Sequence, residues 1–379
     1  MRIIIVGTAY PYRGGLSAFN ERLAYQYLKE GHEVEIYTFS LQYPNFLFPG
    51  KTQYSDEQPP KDITISRKVN SVNPFNWIKV GNEIKKKKPD ILITKFWIPY
   101  MSPCLGTIER IVRKNGRTKI ISILDNIIPH EKRFGDKMLV KYFVRSTDGF
   151  IAMSKSVLND LNLFDTKRPR IFCPHPLYDS FGTLISREEA LKELNLDDKY
   201  RYVLFFGIIR AYKGLDLLLE AFADERLKSM DIKLIVAGEY YEDEDKYQEM
   251  LSSLDIKDKV IMKTEFIPDS KVNLYFSACD IVAQPYKTAT QSGVTQIAYH
   301  FVKSMLVTNV GGLPEIVPNG KVGYVVEKNP KKIADALIDF FSNNRMKDFE
   351  KNIVIEKEKY SWQRMTEAVE KVINYDNKK

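Results

Sequence analysis

Cysteine and histidine are scarce. Three cysteines, Cys104, Cys173 and Cys279, stand far apart in 379 residues and form no CxxC pair. That excludes a disulfide framework and a cysteine-built metal site, and it points to a reducing, cytoplasmic setting. The four histidines, His32, His130, His175 and His300, form no HExxH or similar pair, so no metal is expected. Long apolar runs are missing as well: no stretch approaches the roughly 18 residues that a spanning helix needs. The opening run Ile3–Val6 is far shorter than a signal-peptide core and reads as a strand. There is no GxGxxG fingerprint, so no dinucleotide cofactor is expected. No internal repeat or low-complexity tract suggests a solenoid or a disordered tail.

What is present is ordinary in amount and unusual in distribution. Hydrophobic residues make up 44% and charged residues 28%, the balance of a globular protein, and the length exceeds one ordinary core, so two domains are expected. Net charge is +8. Residues 1–175 hold 28 Lys+Arg against 16 Asp+Glu, whereas residues 176–379 hold 29 against 33. The first half therefore carries the positive excess, either as a solvated basic surface or as a face for an anionic partner.

Strands and helices alternate along the chain. Ile3–Val6, Val34–Phe39, Ile91–Ile93, Ile120–Leu124 and Gly149–Met153 are short apolar runs, separated by helical periodicity such as that of Phe19, Leu23 and Tyr27. The pattern lapses over residues 165–182, which hold Pro169, Pro174, Pro176 and Gly182. It resumes at Tyr202–Phe206 and continues through Leu234–Ala237, Val260–Met262, Ile281–Ala283 and Met305–Thr308. This predicts two doubly wound α/β domains: residues 1–172, a linker region 173–198, residues 199–358, and a closing helix and tail 359–379. Open α/β sheets bind ligands at the carboxyl ends of their strands, so the loops there are the candidates for chemistry.

Four loops stand out. Gly14-Gly15 follows the first strand and opens a helix, where backbone N–H groups can approach an anion or a sugar. After Gly207, Arg210 and Lys213 stand where the next helix is expected to begin. Cations there oppose the helix dipole, unless a diphosphate occupies the site and takes a guanidinium fork, an ammonium and backbone donors together. The loop Gln291-Ser292-Gly293-Val294-Thr295-Gln296 is small, polar and set before an apolar helix. Its backbone suits phosphate, and its two glutamines suit sugar or ribose hydroxyls. Glu315, after Gly311-Gly312-Leu313-Pro314, fits either a ligand contact or a simple helix opening.

Taken in order, these segments resemble the GT-B-fold glycosyltransferases of the retaining, group 1 (family 4) type over nearly the whole chain. The matching segments are Gly14-Gly15 with Gly31-His32-Glu33-Val34, Phe206-Gly207 with Arg210 and Lys213-Gly214, Phe266-Ile267-Pro268, Thr308–Val317, and Tyr360-Ser361-Trp362. The resemblance implies two Rossmann-like domains facing a cleft and a last helix that crosses back to the first domain. It implies transfer of a sugar from a nucleoside-diphosphate-sugar to a glycan or lipid-linked acceptor in surface polysaccharide or glycolipid synthesis. Arg210 and Lys213 would neutralise the departing diphosphate, and the Phe266-Ile267 segment would hold the base. Two departures follow. The family's pair of Glu residues eight apart is missing: the loop Thr290–Gln296 holds no Glu, as in members reading "QSGV", so Gln291 and Gln296 are the candidates for the polar contacts there. Asp125-Asn126-Ile127-Ile128-Pro129-His130-Glu131 resembles an "HNVxPHE" variant with Asp in the first His position, so either Asp125 or His130 belongs at the reacting centre.

The acidic run Asp243-Glu244-Asp245 reads as a solvated face rather than a metal-binding DxD, which fits a metal-independent reaction. Two other classes remain as alternatives. A nucleotide-sugar 2-epimerase would need cleft carboxylates, and a non-catalytic nucleotide- or glycan-binding protein would fit the missing Glu pair. Cations at Lys85–Lys88, Arg110–Lys119 and Lys132–Arg145 lie near Phe75, Trp77, Ile78, Phe96–Met101, Phe134 and Met138. That mixture predicts peripheral binding to an anionic membrane, or buried packing of Phe96–Met101. No nucleic-acid module is present, so nucleic acid is not expected as a partner.

Overall fold

The computed structural model describes residues 1–44, 52–55, 58–129, 133–289 and 292–375. The chain divides into two compact units: Met1–Pro176 with Ser361–Lys379, and Leu177–Tyr360.

In the first unit β1 (Arg2–Val6) leads to α1 (Gly15–Lys29) and β2 (Glu33–Leu41). There follow β3 (Thr64–Asn70), α2 (Pro74–Lys87), β4 (Ile91–Phe96), α3 (Ser102–Arg113), β5 (Lys119–Leu124), α4 (Asp136–Val144), β6 (Gly149–Ala152), α5 (Lys155–Leu161) and β7 (Arg170–Phe172). These strands form a parallel sheet in the order β3-β2-β1-β4-β5-β6-β7. Ile3, Ile4, Ile5, Leu92, Ile120 and Ile123 have no exposed surface, because helices cover both faces and a continuous apolar run is what such a strand requires. The strand order reverses at β1 and β4, which creates a crevice at their carboxyl ends.

The second unit opens with α6 (Arg187–Leu194). It continues as β8 (Arg201–Phe206), α7 (Leu215–Phe222), α8 (Glu225–Lys228), β9 (Ile232–Ala237), α9 (Asp245–Ser253), β10 (Val260–Lys263), α10 (Val272–Ala278) and β11 (Ile281–Gln284). It ends with α11 (Gly293–His300), β12 (Ser304–Thr308), α12 (Leu313–Ile316), β13 (Gly323–Val326), α13 (Pro330–Ser342) and α14 (Met346–Glu356). The sheet order is β10-β9-β8-β11-β12-β13, again parallel, with its reversal at β8 and β11. Asp280 fixes that junction, accepting from Arg201 Nε and from the Tyr202 amide at 2.7 Å each.

The last helix, α15 (Trp362–Ile373), belongs to the first unit. Its amphipathic stripe, Trp362, Met365, Val369 and Val372, is buried. Val372 lies where a Cβ on Gly149 would come within 2.2 Å, so the glycine lets the helix approach β6 closely. The linker expected over residues 173–198 contains secondary structure of its own. The Ser186 side chain caps α6, which buries Ala190, Leu191 and Leu194. Just before that stretch, Arg170–Phe172 pairs with β6 as a half-buried edge strand, too short to leave a periodicity. Among the described residues no helix is long and apolar enough to cross a membrane.

Candidate active site

The second unit places two loops at its reversal point. Gly207 ends β8 with φ +98°, and Arg210 precedes a single 3₁₀ turn, Ala211–Lys213. Gly214, at φ +70°, then turns the chain into α7. Arg210 and Lys213 therefore stand before the helix rather than in its first turn, where their charge would oppose the dipole. The loop is held from the neighbouring strand end: Ile209 N donates to Glu239 O at 2.8 Å, Tyr241 N to Ile209 O at 3.0 Å, and Ala211 N to the Glu242 carboxylate at 2.7 Å. On the other side Lys287 N donates to Tyr212 O at 2.7 Å.

Lys213 is folded back into this turn. A Cβ built on Gly207 would lie 3.0 Å from Lys213 Nζ and 3.9 Å from Val294 Cγ2. Thus the ammonium, the end of β8 and the first turn of α11 converge. The Nζ also lies 5.4 Å from the centre of the Tyr286 ring. The residue is only 8% exposed. Burial pushes its pKa down, with Tyr212 opposing in part, and among the described residues no carboxylate pairs with it. A buried cation without an anionic partner among the described residues is costly. Arg210 is half-buried nearby in sequence and likewise has no carboxylate partner among the described residues.

The loop after β11 supplies the helix end. Ser292 caps α11, accepting from Val294 N at 3.2 Å, and its hydroxyl lies 3.1 Å from the Tyr286 hydroxyl. Burial raises the Tyr286 pKa to about 12, so the phenol stays neutral. Gly293 abuts Tyr178, whose Cε2 would be 2.7 Å from a Cβ there. Ser292 and Gly293 thus serve capping and close packing, and the Val294 side chain lies on the Gly207 side of the helix. Gln296 has no exposed surface, and among the described residues its amide atoms have no hydrogen-bond partner. Phe266 is half-buried and Ile267 buried in the loop after β10. Glu315 is exposed in the short helix α12. Gln291 and His130 lie outside the described residues.

In the first unit Gly14 caps α1 at φ +95°, and Gly15 begins the helix. Asp125 follows β5, with its amide donating to Phe96 O at 2.9 Å. Its carboxylate accepts from Lys95 Nζ at 2.9 Å. Lys95 was not singled out by sequence; the signal was a charge inside the otherwise apolar strand Ile91–Phe96. Burial lowers its pKa, and Asp125 opposes that. Nearby His175 is pushed down to about 3 by burial and by the Lys95 charge, so it is neutral at ordinary pH.

Asp243, Glu244 and Asp245 are exposed at the start of α9, and among the described residues no group of three or more His, Cys, Asp or Glu is arranged to hold a metal. Of the basic and aromatic cluster over residues 75–145, Phe96 and Met101 belong to the core. Phe75, Ile78, Phe134, Met138 and Tyr142 are exposed on α2 and α4 and the loop before α4. Several of the cations are taken up internally: Lys87 pairs with Glu35, Arg113 with Asp148 and Arg117 with Asp90.

Known proteins match both units. The family model described as Glycosyltransferase Family 4 matches residues 13–175, and that of Glycosyl transferases group 1 matches residues 186–360. The N-acetyl-alpha-D-glucosaminyl L-malate synthase of Bacillus anthracis is 23% identical over 91% of this chain and 89% of its own. Among solved structures, a sucrose-phosphate synthase from Thermosynechococcus elongatus superposes with TM-score 0.76 at 15% identity, covering 99% of this chain and 98% of its own. An Anabaena protein solved in complex with UDP and glucose does so with TM-score 0.74 at 13% identity, covering 99% and 100%. With both sheets, both reversal points and the returning last helix in place, the chain belongs to the group 1 glycosyltransferases of GT-B fold and is an enzyme of that class.

Proposed function

We propose that the chain transfers a sugar, with retention, from a nucleoside-diphosphate-sugar held in the second unit to a glycan or lipid-linked acceptor in surface polysaccharide or glycolipid synthesis. The observation that carries this reading is Lys213: a buried ammonium with no carboxylate partner among the described residues, set between Gly207 and the first turn of α11. A diphosphate there receives the ammonium and backbone N–H groups, with the Arg210 fork as a further donor. Charge that develops on the departing diphosphate meets donors already in position, the form of stabilisation that contributes most in such sites. The cations fill the role a divalent metal would otherwise take, so transfer is expected to persist in EDTA.

The relatives support the chemistry by what they are: one is named as an N-acetylglucosaminyl-malate synthase, another as a lipopolysaccharide N-acetylglucosaminetransferase, and one structural neighbour holds UDP and glucose. A calorimetric screen of UDP, GDP and ADP tests the donor site. Micromolar binding of one of them, lost in Lys213→Ala, is expected; indifference to all three at millimolar concentration removes the diphosphate assignment. The exposed apolar residues of α2 and α4, with exposed Lys79, Lys137 and Lys141, suit a peripheral position on an anionic membrane at its cytoplasmic face.

A further inference from the structure

We infer that Lys95 is a positioning residue: buried behind Asp125, it holds that carboxylate as a fixed anion that accepts a sugar hydroxyl at the reversal point of the first sheet. The inference rests on the transferase reading above and adds a residue to it.

The pair is asymmetric. The Lys95 side chain is 2% exposed and that of Asp125 13%, so a ligand can reach the carboxylate but not the ammonium. Lys95 therefore acts through Asp125. Its own surroundings leave it little freedom. Nζ is 2.9 Å from Asp125 Oδ1 and 3.5 Å from the centre of the Phe19 ring, a cation–π arrangement. Phe19 is in turn packed on His175 and Trp362, each 5.1 Å away between ring centres. The His175 imidazole is neutral and its Nδ1 lies 2.7 Å from Pro176 O, so it adds no competing charge.

Stability alone gives no reason for the pair. A buried lysine and aspartate seldom outperform two packed apolar residues, and the rest of β4 is apolar or hydroxylic. Position does give a reason. Lys95 is near the carboxyl end of β4, which flanks β1 at the strand reversal, and Asp125 is the first residue past β5. Ligands of open sheets bind at that edge. A carboxylate held by an ion pair offers its remaining lone pairs as charge-assisted hydrogen-bond acceptors, which suits holding a hydroxyl.

The test uses Lys95→Met, Lys95→Arg, Asp125→Asn and the double variant Lys95→Met/Asp125→Asn. The donor is whichever of UDP-glucose, UDP-N-acetylglucosamine and GDP-mannose the wild-type chain turns over fastest. Lys95→Met is expected to lower kcat by about 10²-fold, the usual cost of a displaced group, with donor KM within threefold. Lys95→Arg should retain more activity than Lys95→Met. The double variant, neutral at both positions, should regain the wild-type unfolding temperature yet remain as inactive as Asp125→Asn. It also decides the matter if Lys95→Met alone does not fold. Recovery of activity together with stability in the double variant would make the pair structural and overturn the inference. If the wild type neither binds UDP or GDP nor releases either from a donor, the transferase reading itself has failed and this inference falls with it.

Discussion

The ammonium of Lys213 lies 5.4 Å from the centre of the Tyr286 ring, one side chain coming from the turn between β8 and α7 and the other from the loop after β11. Lys213→Ala removes the buried charge together with the side chain that lies against the Tyr286 ring. Turnover is expected to fall by roughly 10²-fold or more, the effect of losing one preorganised donor to a developing charge. The unfolding temperature should hold or rise, because an uncompensated buried cation is lost. Arg210→Lys should also slow turnover, since a point charge does not replace a planar fork. Steady-state kinetics with the best donor check both; near-normal rates in Lys213→Ala would remove it from the reaction.

Gly214→Ala tests the geometry of the same turn. A Cβ there would lie 2.0 Å from Pro285 O, and φ is +70°. The substitution forces the loop after β11 away from the loop after β8, on top of about 1–2 kcal/mol of left-handed strain. Both diphosphate affinity and unfolding temperature should drop. Gly320→Ala is the control: its φ is +71° but nothing lies within 4 Å of a Cβ, so it should lose only the strain contribution. Equal effects in the two variants would mean that the contact with Pro285 is unimportant.

Most of the strands could be read from the sequence because buried parallel strands need continuous apolar runs, as in Ile3–Val6 and Ile120–Leu124. The edge strand Arg170–Phe172 could not, since one half-buried turn of a sheet leaves no period. The Gly207–Lys213 segment stood out in the sequence because a buried strand ends at a glycine and two cations follow it before an apolar helix. Lys95 was missed because its meaning depends on Asp125, thirty residues away in sequence and 2.9 Å away in space. Ser292 and Gly293 look like ligand-binding residues in sequence, yet a cap and a close approach to Tyr178 account for both.

Glu109 gives a pH dependence independent of catalysis. It is buried on α3 and accepts hydrogen bonds from Thr94 Oγ1 at 2.7 Å, Ser146 Oγ at 2.6 Å and Thr147 Oγ1 at 3.1 Å. Burial raises its pKa from an ordinary 4.5 to about 7, the three hydroxyls opposing. The folded carboxyl thus binds its proton more tightly than the unfolded one. Stability is unaffected below about pH 4.5, declines as pH rises to about 7, and stays lowered above it. The decline is on the order of 3 kcal/mol at most, since one pKa unit is about 1.4 kcal/mol. Glu109→Gln should remove that slope from urea-unfolding free energies measured between pH 5 and 8. An unchanged slope would assign it to other groups.

The membrane proposal is sharpened by where α2 and α4 put their side chains. Both helices follow loops at the carboxyl edge of the first sheet and run back along it, as right-handed crossovers between parallel strands do. Phe75 and Ile78 lie in the opening turns of α2, and Phe134 and Met138 just before and within the opening turn of α4, all exposed. Exposed Lys79, Lys137 and Lys141 are on the same helices. Lys85–Lys88 are at the far end of α2, roughly 15 Å along the axis from Phe75 at about 1.5 Å per residue. Lys87 is already paired with Glu35. The run that looks most basic in sequence is therefore the less suited to act with the apolar residues. Each cation near an anionic surface contributes about 1 kcal/mol, and the rings add apolar burial in the interface. Sedimentation with vesicles containing anionic lipid should bring the protein down at low salt and release it at high salt. Lys79→Gln with Lys137→Gln and Lys141→Gln, or Phe75→Ser with Phe134→Ser, should weaken binding more than Gln at Lys85, Lys86 and Lys88. Equal sedimentation with neutral and anionic vesicles would exclude this face as a membrane contact and leave a soluble acceptor as the better reading.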